Sequence, residues 1–314
     1  MKNLRYICVQ PAIEYYTWQV EVMIHNFIKN GINPNNMDIV CSYTTDAVPE
    51  KWRKLAETYN YVRFFFYKDT RQNPVYISSI RPNILKQHFA AHPYLKDEAI
   101  FYHDCDIIMT KPVNWDKFKD DDIWYCSDTR GYVGANYVKS KKFGIYERMC
   151  EIIGIDESIP NDNEMHSGGA QYIMKNIDAE YWEKVEKDSE ALYQFFLDHL
   201  KEHPETPEYH PIQKWTADMW AVLWNAWYYK HDVKVVPEME FTWPMHGLDM
   251  WRKCDILHNA GVTELTHGPE KTFFKGHYIN KLPYDIKLED FDPNRCTYKY
   301  VEELLETAKT SCLR

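Results

Sequence analysis

Apolar runs and amphipathic stretches alternate along the first third of the chain. "YICVQPA" (6 to 12) is a short apolar run ending in Gln10 and Pro11, which predicts a buried strand that stops where a loop begins. The next segment sets Trp18, Met23, Phe27 and Ile28 among polar residues, the pattern of an amphipathic helix, ended by "NGINP". "MDIVCSYT" predicts a second strand, "VPEKWRKLAETYN" a second helix with Pro49 near its first turn, and "YVRFFFY" a third strand. In "SSIRPNILKQHFAAHP" Pro82 suits the first helical position, and Ile84, Leu85 and Phe89 form an apolar stripe. "AIFYHDCDIIM" follows as a fourth strand. Strand and helix thus alternate at crossover spacing from residue 6 to 108, the signature of an α/β fold with a mostly parallel sheet flanked by helices. In such sheets ligands bind beyond the carboxyl ends of the strands.

Past "KPVNWDKF" the regularity weakens. "DIWYCSDT" predicts a strand, "FGIYERMCEIIG" a helix, and "IDESIPNDNEMHSGGAQYIMKN" a long loop leading into a strand or helix. A long acidic, aromatic helix over "DAEYWEKVEKDSEALYQFFLDHLKEH" comes next. "TPEYHPIQKWTADMWAVLWNAWYYKH" then places Trp215, Met219 and Val222 on one helical face, while "VKVVPEM" and "CDILHNAG" read as late strands. With no repeat and no low-complexity linker, one domain over residues 1–314 is the simplest reading, with a weak boundary near residue 112.

Composition narrows the classes. The chain has 314 residues, 45% of them apolar, enough for a substantial core, and its 24 Tyr, 14 Phe and 11 Trp suit either core packing or a cleft lined with rings. A net charge of −10 argues against holding nucleic acid by bulk electrostatics, leaving only the short basic stretches "KSKKF" and "KTFFKGHYINK" for that purpose. The eight cysteines show no short paired spacing, which points to free thiols in a reducing compartment. No leader pattern and no apolar run long enough to cross a bilayer is visible, so a soluble, cytoplasmic protein is the expectation.

The chemistry concentrates in "FYHDCDIIMTKP". Asp104 and Asp106 interrupt an otherwise apolar run, and at a strand end they share one side of the backbone because the side-chain period is two. Two carboxylates so close repel, and a divalent cation with oxygen ligands removes the repulsion. Mg2+ and Mn2+ accept such ligands and commonly carry phosphates at their remaining positions. No GxGxxG follows the first strand and no GxxxxGK[ST] occurs, so a bound phosphate needs another grip. Elsewhere, the glycine pair of "HSGGAQYIMK" allows close approach of the backbone to a flat ligand, and Gln171 can both donate to and accept from hydroxyls. Asp218 sits in an aromatic helix, where a lone carboxylate is costly unless it faces a cleft or a partner.

The four-strand opening followed by "FYHDCDIIMTKP" resembles the GT-A fold of nucleotide-sugar glycosyltransferases, whose D-x-D motif holds a divalent ion bridging the donor diphosphate. The resemblance implies a Mn2+ or Mg2+ ion on Asp104 and Asp106, with Asp106 the firmer ligand, and a nucleoside-diphosphate sugar as donor. Residues 1–112 would bind the nucleotide and residues 113–314 the acceptor. It also implies a third metal ligand from a late strand or loop: His258 first, with His267 and His277 as rivals. Lys275, with Lys271 as its competitor, would grip the diphosphate. Gly168, Gly169 and Gln171 would floor the sugar pocket, and Asp218 would stand near the anomeric carbon, in competition with Asp162 and Glu164. On the donor side Gln10 would meet the base or ribose, and Arg81, with Tyr76 and Ser79, the diphosphate. Asp128 and Arg130 are candidates for sugar or acceptor contacts.

"GGAQ" is further similar to the plant hydroxyproline arabinosyltransferase and serine galactosyltransferase group, which implies a pentose such as arabinose, or galactose, moved with retention. The acceptor class stays open among glycan, protein, lipid and modified nucleic acid hydroxyls. Two other readings stay open as well: a nucleotidyltransferase acting on sugar phosphates, which ordinarily shows the glycine-rich loop missing here, and a non-catalytic glycan or nucleic-acid binding module.

Overall fold

The computed structural model describes residues 1–314. The chain runs β1 (Leu4–Pro11), α1 (Glu14–Lys29), β2 (Met37–Tyr43), α2 (Glu50–Thr58), β3 (Arg63–Lys68), α3 (Ile80–Ala91), β4 (Ala99–His103) and β5 (Ile107–Met109). There follow β6 (Trp124–Asp128), α4 (Ile145–Ile153), β7 (Gly168–Lys175), α5 (Ala179–Glu202), α6 (Ala217–Tyr228), β8 (Val233–Val235), β9 (Phe241–Thr242), β10 (Ile256–His258) and α7 (Cys296–Ala308), with short helical turns between. Two compact units result. The first gathers Arg5–Lys68, His103–Trp115 and Glu238–Arg314, and the second Met1–Leu4, Asp69–Tyr102 and Asp116–Pro237.

In the first unit β2 lies between β1 and β3, and both pairings are parallel, Val9 facing Val40 and Val40 facing Phe65. The runs that predicted β1 and β2 are buried almost throughout, as strands covered on both faces must be. α1 buries Trp18, Val20, Ile24 and Phe27, whereas Ile28 lies at the margin of its apolar face, 37% exposed. Asp38 is the one acid inside these strands. Arg63 holds it with two bonds of 2.7 and 2.6 Å and Arg5 with a third of 3.2 Å, so the buried carboxylate has cations on both neighbouring strands. A smaller sheet pairs β10 antiparallel with β5 and parallel with β9.

The second unit carries a mixed sheet. β7 runs antiparallel to both β4 and β6, and β8 runs parallel to β6. α5 is capped by Asp178, whose side chain accepts from the backbone N–H groups of Glu180 and Tyr181. The architecture is α/β, with mixed, mostly parallel sheet flanked by helices. No helix is long and apolar enough to cross a membrane.

Four expectations need correction. "AIFYHDCDIIM" is two strands rather than one, because the chain turns at Asp104 to Asp106. α3 begins at Ile80, so Pro82 is its third residue, still within the first turn where its missing N–H costs nothing. Trp215 lies in a 3-10 turn before α6 and is 60% exposed, so it is not on the buried face, while Trp220, Leu223 and Trp224 are fully buried. "IDESIPNDNEMHSGGAQYIMKN" leads into a strand, the first of the two alternatives, but "GGAQ" belongs to the start of that strand, β7, rather than to the loop before it.

Candidate functional site

β4 ends at His103, and Asp104, Cys105 and Asp106 form the turn that enters β5. Ile107 of β5 faces His258 of β10, and the ladder extends one step further as the Asn259 N–H donates to the Asp106 carbonyl at 2.9 Å. That register brings the His258 imidazole to the turn: its Nε2 lies 3.3 Å from Asp106 Oδ1 and 3.6 Å from Asp104 Oδ2. Lys275 Nζ donates to the other Asp106 oxygen, Oδ2. Asp106 and His258 are buried and Asp104 is half-buried.

The charges here act directly on one another. Burial alone would raise the Asp106 carboxyl, but the Lys275 ammonium and the His258 imidazole beside it reverse the effect and hold it well below the usual carboxylate range. Burial likewise works against a charged Lys275, and the Asp106 carboxylate overcomes it, raising the ammonium above its ordinary value. Tyr15 stands near enough to feel both charges. His103, just before the turn, is pushed down to about 4 by burial and is therefore neutral at physiological pH. Its Nδ1–H donates to the Asp104 carbonyl at 2.9 Å and its ring packs 5.1 Å from that of Phe27, which fixes where the turn begins.

Asp104, Asp106 and His258 offer two oxygens and one nitrogen, all within 4.8 Å of one another. That donor set fits Mn2+ or Mg2+, the imidazole favouring Mn2+. The His258 ring stacks on Trp243 at 5.3 Å, and its Nδ1 is buried with no hydrogen-bond partner, so packing sets its orientation. His267 and His277 fall elsewhere in the same unit, grouped with Glu264. Lys271 is exposed, and Lys275 is the lysine that reaches Asp106. Gln10 is 2% exposed, its Nε2 donating to the Val40 carbonyl at 3.3 Å and lying 3.1 Å from Cys41 Sγ.

The second unit gathers a different group. The Tyr76 hydroxyl lies 2.7 Å from both Asp218 Oδ1 and the Trp215 carbonyl, and Arg81 lies 3.5 Å from Asp218 Oδ2. Burial and the Asp218 carboxylate together push the Tyr76 phenol well up. The segment before α3 is tied inward: Glu190 accepts from the Val75 N–H at 2.9 Å, the Tyr76 N–H at 3.2 Å and the Ser79 hydroxyl. Arg71 donates to Ser79 Oγ at 2.8 Å and to the Tyr76 and Ile77 carbonyls. The Ser79 hydroxyl is thus taken up within the protein.

Gly168 and Gly169 make room for protein atoms. A Cβ on Gly168 would sit 2.1 Å from Cys126 Sγ and 2.5 Å from the Ser127 carbonyl, and one on Gly169 would sit 2.6 Å from Met219 Cε. Ser127 donates to Gln171 Oε1 at 2.7 Å, while Gln171 Nε2, Thr129 Oγ1 and Ser167 Oγ are buried without partners. Of the remaining candidates, Asp128 pairs with Arg130 at 2.5 Å, Glu164 accepts from the Asn136 N–H at 3.2 Å, and Asp162 is exposed.

Arg71, Glu190, Thr129 and Trp243 were not found from sequence. Glu190 lies more than a hundred residues from the segment it holds, and no local pattern signals such a partner. Trp243 precedes a proline in a short irregular stretch, where an aromatic residue has no periodic neighbour to mark it.

No family model matches the sequence, and no curated protein matches it either. Solved structures resemble it in shape. A WbbM bifunctional glycosyltransferase in apo form aligns over 96% of this chain with a TM-score of 0.48 and 12% identity; the alignment covers 52% of that protein, so this chain spans about half its length. The mannosyltransferase PcManGT from Pyrobaculum calidifontis, in complex with GDP-Man and Mn2+, aligns over 71% of this chain and 71% of its own, with a TM-score of 0.29 and 13% identity. Mouse xyloside xylosyltransferase 1 aligns over 82% of this chain and 97% of its own, with a TM-score of 0.37 and 10% identity.

Proposed function

We propose that the chain is a metal-dependent glycosyltransferase of the GT-A type, moving a sugar from a nucleoside diphosphate to an acceptor hydroxyl. The observation that carries this reading is the group of Asp104, Asp106, His258 and Lys275: two carboxylates and an imidazole grouped closely enough for one ion, with an ammonium on the same carboxylate. Asp104, Asp106 and His258 would hold Mn2+ or Mg2+. The bound ion supplies Lewis-acid stabilisation of the charge that builds on the departing diphosphate. Lys275 pairs with a diphosphate oxygen once it turns from Asp106, with Arg81 assigned to the same group. Gln10, Tyr76 and Ser79 complete the donor side, Ser79 by shaping its segment, and Gly168, Gly169 and Gln171 floor the sugar pocket. The unpartnered Gln171 Nε2 and Thr129 Oγ1 are suited to sugar hydroxyls, which satisfy such buried polar atoms.

Asp218, oriented by Tyr76, is assigned as the carboxylate that faces the anomeric carbon. Residues 1–112 form the nucleotide part and 113–314 the acceptor part in this reading. A pentose such as arabinose, or galactose, transferred with retention, is the donor we favour on the "GGAQ" resemblance. The test is release of nucleoside diphosphate from a panel of nucleotide sugars, with and without Mn2+, comparing the intact protein with Asp106→Asn. Metal-dependent release from one donor, abolished by the substitution, supports the reading. Absence of both turnover and donor-stimulated Mn2+ binding refutes it.

A further inference from the structure

We propose that Glu264, His267 and His277 form a second metal site, for a zinc-class divalent ion, distinct from the Asp104, Asp106 and His258 group and independent of the reading above. The three side chains offer one carboxylate oxygen and two imidazole nitrogens, all within 4.8 Å of one another. Ligand atoms around a tetrahedral zinc ion stand about 3.3 Å apart, given metal to nitrogen distances of about 2.0 Å. Closing the gap needs only side-chain rotation, because the Glu264 and His277 side chains are 68% and 40% exposed.

The imidazoles are arranged as ligands. His267 Nδ1 lies 2.9 Å from the Glu264 backbone carbonyl, a bond in which the ring N–H donates. That bond fixes the tautomer and leaves Nε2 with its lone pair for an ion, the arrangement that orients metal-bound histidines generally. His277 Nε2 faces Glu264 Oε2 at 3.1 Å, so an oxygen and a nitrogen already meet where an ion would join them. Phe274 supports both rings, stacked on His267 at 5.6 Å and edge-on to His277 at 5.0 Å. Gly276 permits this, since a Cβ there would lie 2.3 Å from the Phe274 ring. The backbone is closed on itself: the His267 N–H donates to the Thr263 carbonyl at 3.1 Å, and the Thr272 N–H to the His267 carbonyl at 3.0 Å.

Two imidazoles and one carboxylate suit zinc and leave a fourth position for water, whereas two carboxylates and one imidazole suit the harder Mn2+ or Mg2+. The two groups therefore sort different ions. An ion on Glu264, His267 and His277 ties residue 264 to residue 277 across Lys275, and so braces the segment that brings Lys275 to Asp106.

The experiment measures Zn2+ affinity by competition with a chromophoric chelator, and the visible absorption of bound Co2+. It compares the intact protein, His258→Ala, the double substitution His267→Gln with His277→Gln, and Glu264→Ala. The proposal expects a zinc equivalent that survives His258→Ala and weakens by about 100-fold or more in the double variant, with tetrahedral Co2+ bands lost in parallel. Glu264 is exposed, so Glu264→Ala retains the fold and must weaken zinc in the same direction should the double variant not fold. Zinc affinity unchanged in these variants, lost with His258→Ala, or missing from the intact protein overturns the proposal.

Discussion

His103 gives the candidate site a pH dependence that can be worked out beforehand. It is 2% exposed, and burial holds its imidazole down to about 4, whereas the unfolded chain titrates near 6.5. The folded value lies below the unfolded one, so on acidification the unfolded chain takes up the proton first. Stability from this group is therefore complete above about pH 6.5 and lost as the pH falls from there towards 4. The gap between about 6.5 and about 4 corresponds to roughly 3 kcal/mol, of which about 2 kcal/mol is lost by pH 5. His103→Gln keeps a donor for the Asp104 carbonyl but cannot titrate. Urea unfolding followed by tryptophan fluorescence at pH 7 and pH 5 should show the intact protein losing about 2 kcal/mol more than the variant. The other histidines lowered by burial, such as His231 and His246, titrate in both proteins and cancel in this comparison. Equal losses in the two proteins would show that His103 takes up its proton in place, and that the burial argument is wrong.

Two further substitutions test the packing around the site. Gly168→Ala forces a Cβ against the Ser127 backbone carbonyl and should cost about 3 kcal/mol, while Gly169→Ala meets side-chain atoms alone, chiefly the flexible end of Met219 and then Thr129 Oγ1 at 3.2 Å, and should cost less; thermal denaturation that reverses this order refutes the account of the glycine pair. Glu21 is fully buried and accepts from Tyr59 at 2.8 Å, Tyr284 at 2.5 Å, Ser311 at 2.6 Å and the Cys312 N–H at 3.1 Å. Glu21→Leu strands those donors and should cost about 3 to 5 kcal/mol in urea unfolding, and a loss below about 1 kcal/mol would mean the network is dispensable.

What the sequence disclosed follows from where its signals are local. β1, β2 and β4 could be read because strands buried on both faces leave unbroken apolar runs, and Asp104 and Asp106 stood out against such a run. His258 came from the resemblance, which implies a third ligand from a late strand or loop, and "ILH" suits it because it is a short apolar segment ending in a ligand type. The antiparallel β7 was harder, because its two glycines resemble a loop and only the nearness of Cys126 and Ser127 to Gly168, and of Met219 to Gly169, explains them. Ala170, at φ of 63°, lies in the left-handed region without any residue type to announce it. α7 was legible and passed over: Cys296, Tyr300, Leu304 and Ala308 repeat every fourth position and are all buried. The choice between Lys271 and Lys275 was not legible, since both are lysines in the same polar stretch and only tertiary structure brings one to Asp106.

Lys275 carries the sharpest consequence of the geometry, because it sits on one oxygen of Asp106, the carboxylate that the assigned metal also needs. With no donor bound, the ammonium and a divalent ion compete for one carboxylate. In the proposed reading, a bound donor offers Lys275 its diphosphate oxygens, and the competition becomes cooperation. Lys275→Met should therefore move two affinities in opposite directions. Mn2+ alone should bind about tenfold tighter, the equivalent of about 1.4 kcal/mol, because a cation beside the site has been removed. Nucleoside diphosphate in the presence of Mn2+ should bind about tenfold weaker or worse, because a charge-assisted contact worth about 1.5 to 3 kcal/mol is lost. Calorimetric titrations of the metal, and then of the nucleotide at saturating metal, separate the two. A variant that loses Mn2+ and nucleotide affinity together would mean that Lys275 holds Asp106 in shape for the ion, and its role as a phosphate ligand would have to be withdrawn. Opposite signs would give the Lys275 to Asp106 pairing its meaning as a latch that the incoming donor opens.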